Sequence, residues 1–251
     1  MDGTVALEDA GYRCVPGVFQ YSAGVAALPG FRIERLRFAD PVPLAEGWRR
    51  IAAHLEAIGR PRAAFCACEL RSPAPFTEEG FTAFNRAYAA VLGEWGVLRE
   101  GLNPVARSNV CPALGAPAEP GFHAFCVTVP EPGAAGDFVI AGSGEVPEGR
   151  GNYRDHIVAP GDASAAGLLA KARFVLGEME RRMAALGAGW ARTTGVQVYS
   201  VRDLAPLMAA EVVPRGAARH GFTWQWCRPP VEGLEFEMDC RGVAVERVLA
   251  G

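Results

Sequence analysis

The chain has 251 residues, which at about 150 residues per domain allows one large or two small domains. Half of it is apolar and 21% is charged, a globular composition long enough to bury a core without metals or disulfides. A net charge of −3 argues against broad nucleic-acid binding, and no apolar run reaches the roughly 18 residues of a membrane span. The first residues lack the basic and apolar regions of a signal peptide. Seven cysteines, an odd number set mostly in apolar runs, fit a reducing compartment better than a disulfide scaffold. The expectation is a cytoplasmic protein that engages neither membrane nor nucleic acid.

In chain order, a strand-like run at 31–38 leads into a helix predicted over 43–58, where Leu44, Trp48, Ile51, Leu55 and Ile58 keep helical spacing. A strand at 63–70 follows. It carries Cys66 and Cys68, which period two puts on one face; no second Cys or His pair stands at zinc spacing, so the pair reads as core. The second helix, 78–95, has its stripe at Phe81, Phe84, Tyr88, Val91 and Trp95. Strands follow at 122–129 and 137–142. The third helix, 164–187, runs from a cap at Ser164 to a stop at Gly187. A strand at 195–201 precedes a weaker helix at 203–219, interrupted by Pro206 and Pro214, and strands at 222–227 and 234–240 close the chain. In the last, Leu234, Phe236, Met238 and Cys240 alternate with Glu235, Glu237 and Asp239. The simplest reading of that acidic face is solvent; the alternative is a wet cleft.

The order of elements repeats at an offset of about 128, with Ile58-Gly59 matching Leu186-Gly187. The Pro/Gly-rich stretch 129–136 divides the copies. The expected fold class is α+β: two tandem domains, 1–132 and 133–251, each a mixed sheet with helices on one face.

Particular residues connect both halves to a known family. The run Asp137-Phe-Val-Ile-Ala-Gly-Ser-Gly-Glu145 resembles the strand ending in Ser-Gly-Gln of the Rid/YjgF deaminases, and Thr193–Leu204 resembles their Thr-rich strand ending in Asp-Leu. In the first half, Gln20-Tyr-Ser22, Phe84-Asn-Arg-Ala-Tyr88 and Ala106-Arg-Ser108 are similar to family motifs. The resemblance implies chorismate-mutase-like domains and a site between neighbouring domains. It also implies a homo-oligomer, with a trimer as the first expectation; Trp224 and Trp226, on one strand face, would be covered by an interface. Neither half holds a complete motif, so the halves are expected to complement each other. The tandem form is similar to the aminomuconate-type deaminases, which implies hydrolysis of an enamine or imine carboxylic acid with release of ammonia and without a cofactor or metal.

On that resemblance Arg107 falls on the carboxylate-binding position, because a guanidinium fork makes paired charge-assisted bonds to a carboxylate. Glu237 falls near the catalytic acid, and His123 stands near the same position in the first half. Tyr21, Ser143, Glu145 and Cys111 are the further candidates for contact with substrate, although Cys111 reads more simply as an inert buried thiol. Asn152–His156 reads as a solvated connection, or else as a second carboxylate-binding loop. Two other functions stay open: a non-catalytic dicarboxylate-binding protein, and a chorismatase-like enzyme releasing pyruvate.

Overall fold

The computed structural model describes residues 3–249. Its strands are β1 (Val5–Leu7), β2 (Tyr12–Val15), β3 (Gly24–Ala27), β4 (Phe31–Pro43), β5 (Phe65–Arg71), β6 (Ala106–Pro112), β7 (Gly121–Pro130), β8 (Phe138–Gly144), β9 (Gly195–Tyr199), β10 (Thr223–Gln225), β11 (Cys227–Arg228), β12 (Glu237–Gly242) and β13 (Val245–Leu249). The long helices are α1 (Leu44–Ala57), α2 (Glu78–Glu94) and α3 (Ala165–Ala185). The three predicted long helices are thus present. The Thr77 side chain caps α2, Ser164 caps α3, and Gly187 has the positive φ of a helix stop.

The strands form two mixed sheets. One has seven strands in the order β1-β2-β3-β8-β12-β9-β10; the other has six, in the order β11-β6-β5-β7-β4-β13. Each draws on both ends of the chain. The first three strands join β8, whereas β13 returns to pair in parallel with β4. The helices cover the outer faces. Helix α3 lays Ala172, Val175, Leu176, Met179 and Met183 on Ile140, Val198 and Met238, while α1 and α2 cover Phe65, Leu70, Phe122 and Phe125. The inner faces meet each other, through Tyr12, Cys14, Val25, Cys66, Ala106 and Ala141. This sheet-on-sheet contact brings residues of both halves together at one site.

Several expectations change. The acidic face of β12 is not solvated: Phe236, Met238 and Cys240 pack under α3, which turns Glu237 and Asp239 toward the opposite sheet at 4% and 6% exposure. Cys66 and Cys68 do not share a face. The β5–β7 register shifts between Phe65 and Ala67, so Cys66 packs between the sheets and Cys68 packs under α2 against the Tyr88 hydroxyl. The run at 222–227 is two strands, because the chain leaves one sheet after Gln225 and enters the other at Cys227. The segment 203–219 forms only a short helix, Ala205–Leu207, and a π-turn, Met208–Val212. Strands β1, β2, β3, β6 and β13 were not expected. Most are short, and β6, with Arg107, Ser108 and Asn109, has too many polar residues to read as a buried strand.

Candidate active site

At the end where β6 faces β8 lies a small pocket of about 50 Å³ that opens to solvent. Its walls come from Tyr21, Phe81 on α2, Arg107 and Asn109 on β6, residues 142–144 on β8, Val146, Glu148, Tyr153, and Leu234 and Glu237 on the β12 side. Four of the sequence-derived candidates, Tyr21, Arg107, Ser143 and Glu237, therefore converge on one cavity, contributed by both halves.

Arg107 is 3% exposed, yet among the described residues its side chain makes a single hydrogen bond, from Nη2 to Asn85 Oδ1 at 2.5 Å. Its Nη1 has no partner. Aromatic rings surround it instead: Tyr88 lies 4.6 Å from the guanidinium carbon, Tyr21 5.6 Å, Phe84 5.8 Å and Phe81 6.0 Å. Cation–π contacts of about 0.5–2 kcal/mol offset part of the desolvation. They do not replace an anion, and a buried, uncompensated charge costs several kcal/mol. Two positions along the same strand face, Asn109 is buried with its Nδ2 also unpartnered, while its Oδ1 accepts from the Ser72 hydroxyl at 2.9 Å. Two orphaned donors thus stand side by side, an arrangement that suits a planar carboxylate.

Glu237 supplies the opposite chemistry. Burial, then the nearby charges of Asp239 and Glu145, push its carboxyl well above the ordinary range, and Arg182 and Arg71 do not cancel the effect. These surroundings favour its acid form over its carboxylate. Gly142 makes the position possible, because a Cβ there would lie 2.3 Å from Glu237 Oε1 and 2.9 Å from the Ser108 side chain. The glycine lets the carboxyl lie directly over the β8 backbone. Ser143 is buried beside it, with a long 3.3 Å contact from its hydroxyl to the Gly144 carbonyl.

The other candidates lie elsewhere. Glu145 faces away from the pocket. Its carboxylate accepts from the fully buried Lys171 at 3.1 Å and from the amides of Glu235 and Phe236 at 2.6 and 3.0 Å, which pins α3 to the approach of β12. His123 stands on β7 outside the lining. Burial and the cations Arg71, Arg35 and Arg37 lower it to about 3, so it is neutral at physiological pH. Cys111 follows Asn109 on the same strand face but packs beside Cys227, and burial raises its thiol to about 12. Of the Asn152–His156 cluster only Tyr153 lines the pocket; the amides of Asn152 and Tyr153 are anchored by Glu78, and Arg154 is exposed.

Sequence reasoning singled out neither Asn109 nor Glu148, and it held Asn85 only within a family motif and Tyr153 only within a cluster read first as a solvated connection. Asn85 had a signal, being the polar residue inside the buried stripe of α2, and Asn109 follows Arg107 by the two residues that keep one strand face. Glu148 lies in irregular chain and Tyr153 opens a single 3-10 turn, too short for a periodicity to assign a direction. No group of three or more His, Cys, Asp or Glu side chains with metal-holding geometry occurs among the described residues.

Known proteins can now be set beside this site. A chorismatase crystal structure matches over 88% of this chain and 77% of its own, with a TM-score of 0.51 at 14% identity. The likeness is one of fold and agrees with the α+β, chorismate-mutase-like architecture. The E. coli YjgF product covers 43% of this chain and 80% of its own at a TM-score of 0.33 and 18% identity. A 2-amino-5-chloromuconate deaminase from Comamonas testosteroni is 49% identical over 99% of this chain and 100% of its own. The profile of the family described as 2-aminomuconate deaminase CnbZ matches residues 4–247, nearly the whole chain, and on these two matches the chain belongs to that deaminase family.

Proposed function

We propose that the protein is a hydrolytic deaminase of 2-aminomuconate-type acids, and that Arg107 and Glu237 carry the reaction. The observation behind this reading is that a buried arginine with an unpartnered Nη1 and a buried carboxyl whose pKa is raised by burial and acidic neighbours line one cavity. A 2-aminomuconate is a conjugated enamine bearing two carboxylates. One carboxylate fits the free donors of Arg107 and Asn109, which replaces the missing anion. The Glu237 carboxyl then gives its proton to carbon and converts the enamine to an iminium. Water adds to the former enamine carbon, the nitrogen is protonated, and ammonia leaves as the C–O bond becomes a carbonyl. A carboxyl with a raised pKa suits this work, since a general acid acts best near its own pKa; such help is typically worth about 10²–10⁴-fold. The phenol of Tyr21 and the Ser143 hydroxyl are placed to bond substrate or water.

Seven free, buried cysteines support a reducing, cytoplasmic setting. The exposed Trp224–Trp226 pair, with ring centroids 5.6 Å apart, supports a homo-oligomer, for which the Rid/YjgF resemblance suggests a trimer; light scattering of the wild type beside Trp226→Ala tests it. The function is tested by ammonia release from freshly generated 2-aminomuconate, with chorismate as control. Fast release with no pyruvate from chorismate is expected. Release no faster than in buffer overturns the deaminase, and pyruvate from chorismate favours the lyase-like alternative.

A further inference from the structure

The pocket contains a second carboxylate that the scheme above does not use. Glu148 lines the same cavity as Arg107 and Glu237. It also lines the open depression outside, beside Pro16, Gly17, Val18 and Phe174, so it stands where the pocket meets solvent. Its side chain is 19% exposed. The fully buried Arg182 donates from Nη2 to Glu148 Oε1 at 2.7 Å, and from Nη1 to the carbonyls of Ala141 at 2.8 Å and Gly142 at 3.3 Å. One guanidinium from α3 thus fixes Glu148 relative to the backbone on which Glu237 rests. The two carboxyl groups have opposite surroundings. Glu237 has acidic neighbours and no paired cation, whereas Glu148 has a salt bridge. The pocket therefore presents two carboxyl groups with different partners, one beside acidic neighbours and one paired with a guanidinium. The charge of Glu148 also reaches the phenols of Tyr21 and Tyr153; burial first, and then this charge, raises both.

We propose that Glu148 is the water-side acid–base group of this pocket, receiving the proton of the attacking water and returning it to the departing nitrogen. The proposal rests on the deaminase reading. Proton transfer from the Glu237 carboxyl to carbon leaves its carboxylate and an iminium. Water forms the C–O bond to the iminium carbon, and its proton passes to the Glu148 carboxylate, which gives a neutral carbinolamine. Glu148 then protonates the amino group. The C–N electron pair leaves with ammonia, the carbonyl forms, and the hydroxyl proton returns to the Glu237 carboxylate. Both groups end as they began, and no outside oxidant or reductant is needed.

The test is Glu148→Gln, which keeps an acceptor for Arg182 and removes the base. Three readouts separate the roles: deuterium entry at the protonated carbon in heavy water, ammonia release, and binding of the unreactive dicarboxylate cis,cis-muconate. Expected are a fall in ammonia release of about 10²-fold or more, deuterium entry that persists, and unchanged muconate binding. Ammonia release within about threefold of wild type overturns the proposal. Equal loss of deuterium entry and ammonia release, or loss of muconate binding, also overturns it, because Glu148 would then serve the site's shape. Should Glu148→Gln fail to fold, Glu148→Asp carries the test, with slowed release and persistent deuterium entry expected and wild-type release contradicting the role. Failure of the deaminase reading is distinct, because the wild type itself would then release no ammonia.

Discussion

Two buried polar regions lie along the same strands, and they differ in how fully their hydrogen bonds are satisfied. Between the sheets, Arg35 grips Glu69 through two bonds of 2.6 and 2.9 Å; Gln197 bridges Glu69 and Asp239, and Tyr199 donates to Asp239 at 2.7 Å. The charged groups there are used within the protein. One step along β12 lies Glu237, and facing it on β6 Arg107 has an unpartnered Nη1 and Asn109 an unpartnered Nδ2. Asp239 and Glu237 are two residues apart on one strand face, yet the first is tied into a network and the second borders a cavity. The first region fastens the sheets together, and the second is the site we propose for substrate. Buried polar groups without a hydrogen-bond partner are uncommon in proteins, so several of them around one cavity mark it as a candidate binding site.

The sharpest way to break this contrast is Glu237→Gln, which keeps the shape and removes the proton. A fall in kcat of about 10²–10⁴-fold is expected in the ammonia assay. The same substitution is expected to stabilise the protein at neutral pH. A carboxyl whose folded pKa is raised favours folding while it is protonated, and that advantage declines as pH climbs from the ordinary 4.5 to the raised value. Thermal melts of wild type and variant should therefore coincide below about pH 4.5 and diverge above it, with the variant higher. By the same sign, wild-type ammonia release should fall as pH rises through the raised pKa.

On the satisfied side, Lys171→Met leaves Glu145 buried without its cation. Denaturant unfolding should show a loss of about 3–5 kcal/mol, the range for breaking a buried pair from one side. Gly142→Ala should be milder in stability, about 1–3 kcal/mol from overpacking, but should lower kcat by displacing the Glu237 carboxyl. His123→Asn should do least, leaving the pH profile of ammonia release unchanged, because this histidine does not titrate near neutrality.

The parts of the fold that follow a period were legible from the residues. The stripes of α1, α2 and α3 name their buried faces, and the alternation in β12 separates Phe236, Met238 and Cys240 from Glu237 and Asp239. The destination of the acidic side was not legible, since period two says which residues share a face and not what lies opposite. Sheet membership was hidden for the same reason: nothing local in Val5–Leu7 or Val245–Leu249 says that each pairs far along the chain. At the site, Arg107, Tyr21, Ser143 and Glu237 were reached through family resemblance, and the structure adds that they converge. Glu145 misled because a carboxylate beside Ser143-Gly144 resembles a ligand until its partner Lys171, on a distant helix, is seen. Glu148, three residues on in irregular chain, takes the place at the cavity wall.

The central claim is that the unpartnered guanidinium edge of Arg107 takes a carboxylate of the substrate. The most direct measurement is calorimetric binding of cis,cis-muconate to wild type and Arg107→Ala, alongside ammonia release from 2-aminomuconate by both. The account predicts that the variant loses at least about tenfold in affinity and in kcat/KM, the scale of one charge-assisted hydrogen bond, while gaining stability from removal of an uncompensated buried charge. Muconate binding and ammonia release unchanged in Arg107→Ala would contradict it.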